Sequence, residues 1–201
     1  MSSGDSKAVD VQRGVAALLG CAAIWGALPI YLHALQGLSA TLIIAYRLVL
    51  CCVFVVAWLR VRGELATVRA ALADRSTRLR LAASALLISS NWLVYVWAVS
   101  QGRVVEASLG YFITPLLNVV LGVLVLHERL RRMQWAAVAF AALGVLYLTL
   151  RAGAPPFIAL SLALSFSAYG LLRKTVPVEA LSGLAAETLL ITPLGAAYVV
   201  W

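Results

Sequence analysis

Between Ala107 and Leu126 the chain reads ASLGYFITPLLNVVLGVLVL, twenty residues without a charge. That length matches the roughly 20 residues needed to cross about 30 Å of hydrocarbon at 1.5 Å per residue. The pattern recurs: Leu81–Ser100 is a second such run, and Gly14–Leu32 and Ala154–Leu172 are nearly as long. Leu38–Leu59 and Ala180–Trp201 are also long enough, each with one charge inside it, Arg47 and Glu187. Gln134–Leu150 is shorter and of the same kind. With 63% hydrophobic and 12% charged residues in a chain of 201, this surplus exceeds what one soluble core can hide. The expectation is an all-α membrane protein, a polytopic helical bundle of about seven spans. The first run is too long for a secretory signal core, lacks a clear small-x-small cleavage site and precedes six similar runs, so it reads as the first span.

The net charge of +8 belongs to topology and is no sign of a nucleic-acid partner. Thirteen of the 16 basic residues fall before span one, in the segment between spans two and three, and between four and five and six and seven. The remaining loops hold Arg103 and Arg151, and Arg47 lies within span two. By the positive-inside rule this alternation puts the amino terminus and the basic loops in the cytoplasm. Cys21, Cys51 and Cys52 all sit in apolar runs without ligand spacing, so neither a disulfide framework nor a metal site is indicated. His33 and His127 lie at span ends, and no nucleotide-binding, nucleophile-elbow or zincin motif occurs; no catalytic residue and no cofactor is expected.

Residues 1–12 are polar and are expected to be a disordered cytoplasmic tail. Arg60–Arg80, RVRGELATVRAALADRSTRLR, is the one sizeable loop and suits a short helix on an anionic leaflet. A weak internal echo joins Trp25-Gly26 in span one to Tyr169-Gly170 in span six, with Arg47 and Glu187 about twenty residues beyond each. Five spans followed by a second copy would give the copies opposite orientations, the inverted-repeat plan of many secondary transporters. The expected units are 13–152, a five-helix repeat, and 153–201, two spans of a second repeat that reads as truncated.

Several residues interrupt the apolar runs. Arg47, about ten residues from either end of its span, carries an insertion cost of at least roughly 2.5–3.5 kcal/mol and needs a polar partner, for solute binding or for helix pairing. Asn118, Tyr111 and Glu106 are the expected partners. Glu187 lies nearer its span's start, where a place at the interface suits it, or a gate or ion pair. In span three Asn91, Tyr95 and Ala98 share a helical face, with Trp92 beside it. In span four Tyr111, Pro115 and Asn118 form one stripe. Pro115 lacks the N–H that would bond the Tyr111 carbonyl and bends the helix. Glu106 suits the positive start of that helix, and with Arg103 forms a candidate ion pair at a pore mouth.

These residues carry a resemblance. The stretch SALLISSNWLVYVWAVSQGRVVEASLGYFITPLLNVVLGVLVLHERLRRMQW, then ALSFSAYGLLRK and VEA, looks like the RarD branch of the drug/metabolite transporter superfamily, built from EamA domains. Trp25-Gly26, Arg47, Pro115, Glu128, Gln134 and Gly144 fit the EamA repeat. The resemblance implies a ten-helix bacterial inner-membrane fold of two inverted five-helix repeats, of which this sequence has seven spans. It also implies a secondary transporter moving a small organic solute by alternating access, not an enzyme. The expected path residues are Trp25, Arg47, Asn91, Trp92, Tyr95, Tyr111, Pro115, Asn118 and Tyr169, around a central cleft. The partners are the lipid bilayer and a small-molecule solute, with protons as a coupling ion and a homo-oligomer left open. A fragment requiring a partner chain is the alternative reading; an intramembrane enzyme is a lesser one.

Overall fold

In the computed structural model, residues 3–35, 37–125, 127, 131–152 and 156–200 are described. They form eight helices: α1 (Ser3–Ala34), α2 (Ala40–Val61), α3 (Leu65–Ala73), α4 (Arg75–Ser100), α5 (Val104–Val125), α6 (Arg132–Ala152), α7 (Phe157–Lys174) and α8 (Ala180–Val200). All but α3 contain stretches long and apolar enough to cross a membrane, which gives seven candidate spans. The fold is the polytopic helical bundle that the apolar runs demand. In hydrocarbon a helix satisfies its backbone groups within its own segment. Glu128 and the expected repeat boundary at residue 153 lie outside the described residues.

The chain divides into two compact units, residues 1–37 and 38–201. The first is α1. Its backbone is helical from Ser3, so it takes in most of the polar segment expected to be disordered. Residues 3–13 contain no proline, and extending an existing helix adds a hydrogen bond per residue without a new nucleation step.

In the second unit, local chemistry sets the helix ends. Ser39 caps α2 by accepting the Leu42 N–H at 3.2 Å. Asp74 caps α4 by accepting the Thr77 N–H at 2.7 Å, and hydrogen bonds from the Thr77 hydroxyl and then its N–H hold the carboxyl below the usual carboxylate range. Gly63 and Gly102 end α2 and α4 with φ of 74° and 72°. At each, the next residue's N–H reaches back to the carbonyl five earlier, Glu64 to Leu59 and Arg103 to Ala98, both at 2.9 Å. A side chain at these left-handed positions would be strained, hence glycine. The QGRVVE turn is therefore a helix stop followed at once by a start.

Close packing then orders the bundle. α5 lies on α7, α2 on α8, and α4 bridges α7 and α8. Leu109 and Ile113 of α5 meet Ala159 and Ala163 of α7 in a buried cluster. Gly195 of α8 brings that helix against the Ala45 backbone of α2. Small residues at such crossings let backbones approach, as lipid-embedded helices require.

The basic segment behaves differently from a helix lying on lipid. α3 forms within it, but Val68 and Ala71 are buried in a core with Val55, Leu59, Leu81, Val176, Ala185 and Ala186. Thr67 and Ser182 share a hydrogen bond of 3.0 Å, and Arg80 Nη1 donates to the Thr175 carbonyl at 2.9 Å. The loop helix thus docks on one end of the bundle. α6 packs against α5 and otherwise presents apolar side chains outward, among them Trp135, Phe140 and Leu143.

Candidate functional site

Three helices of the second unit, α2, α4 and α8, leave a narrow cleft of about 70 Å³. Its walls are mostly apolar, with Ile44 and Leu48 from α2, Ile88 from α4, and Ile191 from α8. The polar and aromatic groups on it are Arg47, Cys51, Ser89, Trp92, Glu187 and Thr188. An apolar hollow with few polar anchors is the common form of a small-molecule site.

Arg47 comes from the middle of α2, and its Cζ lies 3.3 Å from the centroid of the Trp92 ring. A guanidinium is flat and weakly hydrated, so it stacks on an indole face, and the ring quadrupole offsets part of the cost of a charge at this depth. Trp92 meets Tyr95 edge-on at 5.8 Å, and Tyr95 meets Tyr111 of α5 at 6.1 Å. An aromatic chain thereby runs from the cleft cation to the stripe on α5. The side chain stacked on Arg47 is Trp92, and the expected partner Tyr111 is within electrostatic reach of it. The expected partner Glu106 is engaged elsewhere, its two oxygens taking Arg103 Nε and Nη2 at 2.7 and 2.8 Å. That pair is local, three residues apart at the start of α5, and needs no help from the tertiary fold.

Glu187, expected near its span's start or in an ion pair, is enclosed by neighbouring helices. It is 3% exposed within the bundle. Ser84 Oγ of α4 donates to its Oε1 at 2.6 Å, Arg173 Nε of α7 lies 3.5 Å from the same oxygen, and the Tyr169 hydroxyl is alongside. In the sequence Arg173 and Lys174 count together among the basic residues between spans six and seven; both are in the last turn of α7, and Arg173 turns into the bundle. Sequence reasoning missed Arg173, Ser84 and Ser89. No local pattern marks Arg173; the fold seats it against Gly183 of α8, where a Cβ would collide with its guanidinium.

The other expected path residues are dispersed. Asn91 faces α7, donating Nδ2 to the Leu162 carbonyl at 2.8 Å and lying 2.9 Å from Ser165 Oγ. Tyr169 packs on Phe166 and Glu187, behind the cleft wall. Tyr111, Pro115 and Asn118 do share one face of α5, and it is exposed. Trp25 stands on α1, within the first unit, and is exposed.

Residues 12–150 match the EamA-like transporter family. Over 192 residues the chain is 45% identical to an uncharacterized transporter of Pseudomonas aeruginosa, a span covering 96% of this chain and 63% of that protein. It is 40% identical over 192 residues to protein RarD of Escherichia coli, covering 96% and 65%. To a chloramphenicol-sensitive protein RarD of Pseudomonas aeruginosa it is 33% identical over 193 residues, covering 94% and 64%. The chain thus spans a little under two thirds of the length of these relatives. No solved structure matches it. The family match covers most of the chain and agrees with a seven-span helical bundle: this chain belongs to the EamA-like transporter family, on its RarD-like branch.

Proposed function

We propose that this chain forms part of an inner-membrane secondary transporter that moves a small organic solute by alternating access, and that the solute passes the cleft of α2, α4 and α8. The observation that carries the reading is Arg47 stacked on Trp92 in an apolar hollow at mid-span. A cation held there by a ring, rather than by a carboxylate, keeps its donors available for an anionic or strongly electronegative group. Trp92 supplies a flat surface for an aromatic body. Relatives with transporter names support the class, and one relative's name supplies chloramphenicol as a first probe.

The test is solute movement in intact cells, followed by mass spectrometry with chloramphenicol and a set of small aromatic carboxylates. Arg47→Gln and Trp92→Leu are expected to lower the rate about tenfold or more, the loss of one charge-assisted hydrogen bond being about 1.5–3 kcal/mol. Unchanged rates at equal membrane abundance would reduce the cleft to packing.

The proposed orientation places the amino terminus, α3 and the α7–α8 turn in the cytoplasm, from the basic bias. A single cysteine at position 70, on a background lacking Cys21, Cys51 and Cys52, is expected to resist a membrane-impermeant maleimide in intact cells. Labelling from outside inverts the topology.

A further inference from the structure

Of the three Arg–Glu pairs among the described residues, two have opposite geometry. Arg103 and Glu106, at an exposed helix start, form two parallel bonds of 2.7 and 2.8 Å. Arg173 and Glu187, in the bundle, meet through one nitrogen at 3.5 Å, and Arg173 Nη1 is buried with no hydrogen-bond partner. Burying two charges is favourable only where geometry is excellent and the remaining donors are satisfied. The pair has the weaker geometry where the stronger is most needed. A permanent tie between helices is poorly served by this arrangement, whereas an exchangeable contact is well served.

Three further features bear on exchange. Glu187 is the acid among the described residues lining the cleft, so its carboxylate borders the solute space. Arg173 is in the last turn of α7, next to exposed Lys174, from which a long side chain can swing to the bundle's end. Gly183 provides the slot in which the guanidinium lies, and its missing Cβ leaves no wall to hold it. A buried carboxylate whose cation leaves is very costly in apolar surroundings, and the usual resolution is to become neutral.

We propose that Glu187 is a proton-binding site of the cleft, an ion-pair partner while Arg173 lies against it and a neutral acid once Arg173 withdraws. The proton comes from water entering the cleft and adds to a carboxylate oxygen; no bond in the protein breaks. The groups facing the site are Arg47 and Cys51 from α2, Ser84 from α4, and Tyr169 and Arg173 from α7; α3 contributes none to the cleft. An anion on Arg47 removes positive charge from the same hollow, so anion and proton are expected to bind together. This use of the proton rests on the transport reading; the proton site itself does not.

Dicyclohexylcarbodiimide, an apolar reagent that adds to carboxyl groups only when they are protonated, provides the test. Purified protein in micelles is reacted from mildly acid to mildly alkaline pH, and adducts are located by peptide mass spectrometry. Glu187 is expected to be modified, about tenfold more slowly for each unit that pH rises above its midpoint. Arg173→Gln is expected to raise modification at neutral pH about tenfold, and Arg173→Lys to return it toward wild type. If Arg173→Gln does not fold, the wild-type profile decides alone. No adduct on Glu187 at any pH, with exposed Glu179 reactive as the control, would overturn the proposal, as would a rate indifferent to pH. Because the readout needs no solute, failed transport with a positive profile counts against the transport reading alone.

Discussion

Arg173→Ala is expected to destabilise the folded bundle by about 3–5 kcal/mol when measured at alkaline pH, because it leaves Glu187 as a buried charge without its cation. The contact itself is loose, so the loss comes mainly from the orphaned carboxylate. Two consequences separate these contributions. Lower pH should shrink the loss, since a neutral acid needs no cation. Replacing both partners, Arg173→Met with Glu187→Met, should recover most of the stability, because apolar side chains of similar volume need no charge partner in the bundle. Gly183→Ala should move in the same direction as Arg173→Ala, since its Cβ would occupy the guanidinium's space. Unfolding titrations with sodium dodecyl sulfate in mixed micelles measure all three variants. A loss below about 1 kcal/mol for Arg173→Ala would show that water already satisfies the carboxylate.

The second large effect concerns the α5–α7 crossing. A Cβ at Gly110 would stand 3.1 Å from the Ala159 carbonyl oxygen and 3.2 Å from the Leu162 Cβ, so even alanine requires a small shift. Gly110→Leu cannot be accommodated without parting the helices, and overpacking of this kind costs about 1–3 kcal/mol. The displacement should also reach the aromatic chain, because Tyr111 follows Gly110 directly and meets Tyr95 across the gap to α4. The same titration measures the stability. A disulfide engineered between α5 and α7 should form in wild type and be lost in Gly110→Leu; unchanged stability and crosslinking would mean that α7 yields easily.

The spans and the Arg103–Glu106 pair were legible in the sequence. Each depends on residues close together in the chain: run length sets a span, and three residues on one helix turn bring Arg103 to Glu106. Arg47 was legible in a weaker sense. Its depth demanded a partner, but the demand does not say which one, and Trp92, on a different helix, supplied it.

The rest depended on how helices rotate against one another. Asn91 and Trp92 are neighbours in sequence, yet one bonds α7 and the other lines the cleft, because α4 is wedged between α7 and α8 and each face has its own neighbour. Hydropathy treats Arg173 and Lys174 alike, as cations after an apolar run. Only the packing of α7 beside α4 and α8 turns the first toward Glu187 and leaves the second exposed. Run length and hydropathy were enough to show a set of membrane-length helices, because that choice answers to the solvent around one segment at a time, while helix starts such as that of α1 at Ser3 were not legible in them. Which charges meet and which line a hollow follows from packing, because in lipid the choice of facing neighbours rests on close contact of small residues from distant parts of the chain, and no local pattern encodes that contact.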